Sequence, residues 1–111
     1  MDEMIKKYLF DIKISLDSIE SYFGTEKNFN IYQSNKMLRR SVERELEIIG
    51  EAINRIDRID PAFTIEGKRQ IVGFRNRVIH NYDNIDNSIV WGIIIKYLPM
   101  LKDEINKLTE K

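Results

Sequence analysis

Apolar residues recur every three or four positions through most of this chain, and this spacing restricts its fold more than any other feature. In an α-helix such spacing places the apolar side chains on one face, whereas a half-buried β-strand needs alternation at every second residue. The pattern therefore predicts two long helices, the first ending at Gly24 and the second before Pro61, with a polar connection from Thr25 to about Asn30. The first stripe is Ile5, Leu9, Ile12, Leu16, Ile19 and Phe23, and the second is Leu38, Val42, Leu46, Ile49, Ile53 and Ile56.

Two more helices follow in the second half of the chain. Thr64 is a candidate N-cap for a third helix that runs to about Tyr82, and Asp86 or Ser88 could cap a fourth, in which Pro99 can introduce a kink or a split. We find no useful stretch of period-two alternation, no internal repeat and no linker. The sequence predicts one all-α domain over residues 1–111, an antiparallel bundle of four or five helices. The apolar positions are Ile71, Val72, Phe74, Val78 and Ile79 in the third helix, and Val90, Ile94, Tyr97, Leu101, Ile105 and Leu108 in the fourth.

Gly50 lies in the middle of the second predicted helix. Glycine there costs roughly 1 kcal/mol relative to alanine, so a compensating contact is expected. We expect a neighbouring helix to approach the backbone closely at Gly50, Glu51 and Ala52.

Charge and cysteine content exclude several classes of protein. The 18 basic and 18 acidic residues cancel, so no overall positive field draws the chain onto nucleic acid or an anionic membrane, and any RNA contact must be local. With no cysteine, neither a disulfide framework nor a thiolate metal site is possible. The N-terminus is acidic where a signal peptide needs positive charge, and the longest purely apolar run is Ile93 to Ile95. We expect a cytoplasmic protein without a membrane segment.

One cluster of polar side chains resembles a functional site, and it comes near the end of the third predicted helix. Within eight residues it contains Arg75, Asn76, Arg77, His80, Asn81 and Tyr82. On a regular helix Asn76 and His80 are neighbours, whereas Arg75 and His80 diverge by about 140°. His80 is the only histidine, although metal-free RNA cleavage needs both a base and an acid. A two-fold dimer with this helix at its axis would bring two copies of each residue into one cleft. The residues alone leave a second explanation open, in which His80 is a structural residue at a helix end.

The string from Gly73 to Tyr82 resembles the signature R-N-x-x-x-H-x-Y of the HepT-like branch of the HEPN superfamily. The segments from Arg39 to Ala52 and from Val90 to Pro99 are also similar to that family, so the resemblance spans about residues 38 to 101. It implies a toxin of a toxin–antitoxin pair, a homodimeric endoribonuclease that needs neither metal nor cofactor and whose partner is a minimal nucleotidyltransferase. Carried over by position, Arg75, His80 and Asn76 are the catalytic residues, and Tyr82 is the tyrosine that the partner modifies with AMP.

Other functions remain open at this stage. The main alternative is a non-catalytic HEPN module that recruits a nucleotidyltransferase and binds nucleotide or substrate through Arg75 and His80; a weaker one is a plain helical interaction domain. Glu51 could form an ion pair with Arg75 or Arg77. Phe74 and Trp91 are expected in the core or at a dimer contact. The basic residues of the second and third helices could line an RNA path, although a solvated face is the commoner role for such residues. These are Lys36, Arg39, Arg40, Arg44, Lys68, Arg69 and Arg77.

Overall fold

The computed structural model describes residues 2–68, 71–74 and 86–110, and within these ranges the regular structure is helical. The first helix, α1, spans Glu3–Phe23. The Asp2 carboxylate begins it by accepting hydrogen bonds from the backbone N–H groups of Met4 (2.7 Å) and Ile5 (3.2 Å). Gly24, with φ at 68°, ends it as predicted.

The second long helix, α3, spans Lys36–Ile59, and α1 packs along it. The Asn35 side chain caps α3 by accepting from the N–H of Leu38 at 3.0 Å. Gly50 and Ala52 are both buried, and the close approach of a neighbouring helix to the backbone there stays a prediction. The predicted stripes form the core: their members are buried except for Phe23 and Leu38, which pack half-buried against it.

A short helix, α2, spans Phe29–Ser34 and was not predicted from the sequence. Its six residues are too few to show an apolar period, and it starts inside the stretch that we expected to be a polar connection. Asn28 caps it by accepting from the N–H of Ile31 at 3.2 Å. The helix places Tyr32 in the core with none of its surface exposed.

The prediction of Thr64 as an N-cap is wrong. Residues 63–65 are not helical, residues 66–67 form a turn, and the first helical residue is Lys68, followed by helical residues 71–74. Gly67 has φ at 75°, outside the right-handed helical region, so the helix cannot start before it. The glycine therefore shifts the helix start three residues along the chain, from residue 65 to Lys68.

The last helical stretch contains α4 (Asn87–Gly92), a π-helical turn (Ile93–Tyr97) and α5 (Leu98–Thr109). Asp86 is its N-cap, as predicted, and accepts from the N–H of Ser88 at 2.8 Å. The N–H of Leu98 bonds to the carbonyl of Ile93, the spacing of a π-turn, immediately before Pro99. Because proline has no N–H and its ring crowds the preceding turn, the wider turn accommodates it without breaking the helix.

The all-α fold class is confirmed: the described residues contain helices and turns and no strand. Their core consists mainly of aliphatic side chains from α1, α3 and the last helical stretch, together with Tyr32 and Phe74. Helix α5 packs against α1. In the same ranges, we find no helix with the combination of length and hydrophobicity that crossing a bilayer requires.

Candidate functional site

The four residues that the sequence assigns to the site, Arg75, Asn76, His80 and Tyr82, lie outside the described residues. The structure describes the chain on both sides of them. Ile71 and Phe74 are 1% and 3% exposed, so the residues immediately before Arg75 are anchored in the core. This confirms Phe74 as a core aromatic.

Two polar contacts hold the turn that precedes these helical residues. The Lys68 ammonium group donates to both oxygens of Asp57 on α3, at 3.0 and 3.1 Å. The backbone N–H of Glu66 donates to both carboxylate oxygens of Glu104 on α5, at 3.0 and 3.1 Å. Partial burial raises the pKa of Glu104; the Glu66 N–H opposes this shift, and the Glu66 carboxylate adds to it. The turn is therefore attached to two different helices.

A buried carboxylate lies in the half of α3 that resembles the family sequence. The Glu43 side chain is only 3% exposed, and one of its oxygens accepts from Nη1 of Arg40 at 2.8 Å. Its second oxygen, Oε2, is buried and has no hydrogen-bond partner among the described residues. Because a buried charge is stable only when it is paired, the Arg40 guanidinium is essential to this arrangement.

Tyr32 brings a second buried polar atom close to this ion pair. Its hydroxyl has no hydrogen-bond partner within the described ranges. Burial strongly raises the pKa of Tyr32; the negative charge of Glu43 raises it further, while Arg39 and Arg40 act in the opposite direction. The hydroxyl is therefore neutral at any physiological pH.

An aromatic cluster surrounds Tyr32. The Trp91 ring centroid lies 5.7 Å from that of Phe23, 5.6 Å from that of Phe29 and 5.6 Å from that of Tyr32. The pairs with Phe23 and Phe29 have the edge-to-face geometry that aromatic rings prefer. Trp91 is thus half-buried against the core and links α4 to α1 and α2.

The basic residues at the start of α3 differ in their surroundings. Lys36 and Arg44 are exposed, whereas Arg39 and Arg40 are half-buried. The Arg39 guanidinium donates to the backbone carbonyl of Gln33. A role for these cations in RNA binding stays a prediction.

The structure shows one partner of Glu51 and adds three residues that the sequence analysis did not single out. Glu51, for which we predicted an ion pair with Arg75 or Arg77, accepts from Nε of Arg55 at 3.0 Å, and the predicted partners lie outside the described residues. The burial of Glu43 and Tyr32, and the hydrogen bond that Glu104 accepts from the backbone N–H of Glu66, were missed by the sequence analysis. Glu43 offered one signal, since it directly follows the core residue Val42; Tyr32 and Glu104 offered none. In the part of the chain that the structure describes, no three histidine, aspartate or glutamate side chains lie together in a group that could hold a metal ion.

Comparison with known proteins agrees with the resemblance noted in the sequence. The family model described as "Ribonuclease HepT-like" matches residues 12–108. The chain is 35% identical over 102 residues to a Methanocaldococcus jannaschii protein named "Putative RNase MJ1380", an alignment that covers 91% of this chain and 93% of the relative. It is 33% identical over 107 residues to a Thermococcus cleftensis protein named "Probable ribonuclease HepT", covering 93% of this chain and 94% of that protein. No solved structure matches it.

Proposed function

The chain belongs to the HepT-like ribonuclease family of HEPN domains, and from this membership we propose that it is an endoribonuclease that cuts RNA without a metal ion. The observation that carries the proposal is the family match over residues 12–108, which includes every position of the signature from Arg75 to Tyr82. We further propose that the chain is the toxin of a toxin–antitoxin pair.

The proposed chemistry is attack by a ribose 2′-oxygen on the adjacent phosphorus. The bond from phosphorus to the 5′-oxygen breaks, which leaves a 2′,3′-cyclic phosphate and a 5′-hydroxyl. His80 takes the proton from the 2′-hydroxyl or gives one to the leaving 5′-oxygen, and Asn76 orients its ring. The guanidinium of Arg75 binds the phosphoryl oxygens, where negative charge increases in the transition state.

The count of histidines supports a shared cleft. One chain has one imidazole, which cannot act as base and acid at the same moment. In a two-fold dimer, one His80 can serve as the base while its symmetry mate serves as the acid. We therefore propose that the active species is a homodimer.

Tyr82 is the proposed site of control by a nucleotidyltransferase antitoxin. Its hydroxyl oxygen would bond to the α-phosphorus of ATP, the bond from that phosphorus to the β-phosphate bridging oxygen would break, and pyrophosphate would leave. The product carries an anionic AMP group two residues from His80, where it could occupy the arginines that bind the RNA phosphate. Modification would thus switch off the nuclease.

The test is cleavage of RNA in EDTA by the purified protein, with its mass in solution measured in parallel. We expect His80→Ala and Arg75→Ala to abolish cleavage, while Arg58→Ala, which removes an exposed cation at the end of α3, leaves it unchanged. Cleavage that survives either active-site substitution contradicts the mechanism, and a monomeric active protein contradicts the shared cleft. A wild-type protein that binds RNA or nucleotide without cutting identifies it instead as the non-catalytic HEPN module.

The modification is tested by co-expression with a cognate nucleotidyltransferase. We expect the toxin to gain the mass of one or more AMP units and Tyr82→Phe to gain none. An equal gain in the phenylalanine variant would assign the modification to another residue. Expression of the chain alone should arrest growth if it is a toxin.

A further inference from the structure

The turn at Glu66 and Gly67 determines where the helical residues before Arg75 begin. Gly67 has a positive φ that a right-handed helix does not allow, so the backbone changes direction there. Lys68 is helical, residues 71–74 are helical, and Arg75 comes next in the sequence. The turn therefore lies shortly before the proposed catalytic residues in the sequence.

Glu104 holds this turn from α5, 38 residues further along the chain. Both of its carboxylate oxygens accept from the backbone N–H of Glu66, and a hydrogen bond to an ionised group is about twice as strong as one between neutral groups. Among the described residues, no lysine or arginine forms an ion pair with Glu104, so this carboxylate binds a backbone amide and not a cation. The contact lies at the protein surface. Partial burial raises the pKa of Glu104, the Glu66 N–H opposes this shift, and the Glu66 carboxylate adds to it.

The ion pair between Lys68 and Asp57 attaches the next residues to α3. The two contacts approach the turn from different helices, so together they restrict both its position and its direction. Rates of enzymatic reactions respond strongly to such restrictions, because a misplacement of about 1 Å can reduce a rate roughly a hundredfold.

We propose that Glu104 is a positioning residue of the ribonuclease, which fixes the entry of the chain into the catalytic segment by holding the backbone amide of Glu66. This inference rests on the proposed function. Through Glu104, α5 would affect turnover, although this helix contributes no residue to the family signature. Glu104 acts through the backbone of the turn and is not expected to touch the RNA.

The test compares four variants that separate the reach of the side chain from its charge. Glu104→Ala removes the acceptor, Glu104→Asp keeps the charge on a shorter side chain, and Glu104→Gln keeps the reach without the charge. Asp103→Ala is the matched control, because Asp103 is a neighbouring exposed carboxylate on the same helix whose described ion-pair partner is Lys107. Circular dichroism and thermal unfolding establish a temperature at which every variant is folded.

We expect kcat for RNA cleavage to fall by roughly tenfold or more in Glu104→Ala and Glu104→Asp, with KM changed by less than about twofold. Glu104→Gln should retain kcat within about threefold of wild type, because its amide oxygen can still accept from the Glu66 N–H. Asp103→Ala should match wild type. If kcat in Glu104→Ala equals that of Asp103→Ala, or if only Glu104→Gln is impaired, the positioning role is wrong.

A second measurement does not depend on activity. Hydrogen exchange of the Glu66 amide, followed by NMR, should become faster in Glu104→Ala and Glu104→Asp and remain slow in Glu104→Gln. Unchanged exchange in Glu104→Ala would overturn the anchor itself. An inactive wild type with the expected exchange pattern would instead overturn the proposed ribonuclease, and the positioning role with it, so the two failures can be told apart.

Discussion

The buried hydroxyl of Tyr32 allows a substitution that should make the protein more stable. Tyr32 has none of its surface exposed, and its hydroxyl lacks a hydrogen-bond partner among the described residues. Its ring packs against Phe23 and Trp91, contacts that phenylalanine would keep. Tyr32→Phe therefore removes only the atom that is unsatisfied.

The magnitude follows from the cost of burying an unpaired polar group. A hydroxyl that loses its hydrogen bonds to water without gaining others costs about 1–3 kcal/mol. Removing the hydroxyl should raise the free energy of unfolding by about 1–2 kcal/mol. The gain is smaller than the full cost of burying the hydroxyl, because the phenylalanine ring leaves a small gap where the oxygen was. For a domain of this size, the midpoint of thermal unfolding should rise by roughly 4 °C per kcal/mol.

The assay is unfolding by urea, followed by circular dichroism at one protein concentration, since the stability of an associating protein depends on concentration. Tyr22→Phe is the matched control: it removes the same atom from an exposed tyrosine whose hydroxyl donates to Glu45 at 2.6 Å. The control should be destabilised by less than about 1 kcal/mol. A loss of stability in Tyr32→Phe would refute the reasoning, because it would mean that the hydroxyl has a partner in solution.

Further predictions concern the core, the surface and the alkaline limit. Ile53→Ala should lower the free energy of unfolding by about 2–5 kcal/mol, because Ile53 is 1% exposed, whereas Ile14→Ala, at a side chain 49% exposed, should change it by less than about 1 kcal/mol in the same urea assay. Lys102→Met should also cost less than about 1 kcal/mol, and the loss should shrink in high salt, because the pair with Glu20 is solvent-exposed. Burial raises the pKa of Tyr32 above its ordinary value of 10.0, so the folded state favours the neutral side chain and should lose stability as the pH rises past 10.0. Absorbance at 295 nm should show Tyr32 ionising only as the helical signal disappears, and full ionisation of all tyrosines in the folded protein would contradict this.

The long helices could be predicted from the sequence because their information is local. An apolar residue every three or four positions is sufficient to define one buried face, and the stripes of α1 and α3 are the faces that the structure buries. Gly24 and Pro61 marked their ends for reasons that belong to single residues. The signature from Arg75 to Tyr82 is equally local, so the candidate site could be proposed without knowledge of the fold.

Two of the missed features involve contacts with residues that are distant in sequence, and the third depends on a nearby glycine. The six residues of α2 bury Tyr32 against Phe23 and Trp91. A segment this short is not long enough to show a helical spacing of apolar residues, so the sequence alone does not predict the contact. The turn before the next helix is held by Glu104, which lies 38 residues from Glu66. Thr64 had the side chain of an N-cap, but the positive φ of Gly67 excluded the helix that it would have capped.

Balanced charge has a consequence for how the proposed ribonuclease would bind its substrate. A protein with equal numbers of acidic and basic residues does not concentrate RNA through a long-range field, so binding has to come from a few phosphate contacts. Each phosphate contact on single-stranded nucleic acid contributes about 0.7 to the slope of log affinity against log salt, so the slope should be small. Because long-range electrostatic attraction of RNA would be weak, the geometry of the cleft would determine the rate of cleavage. Contacts that hold the chain before Arg75, such as that of Glu104 with the Glu66 amide, would then influence turnover more than surface cations do.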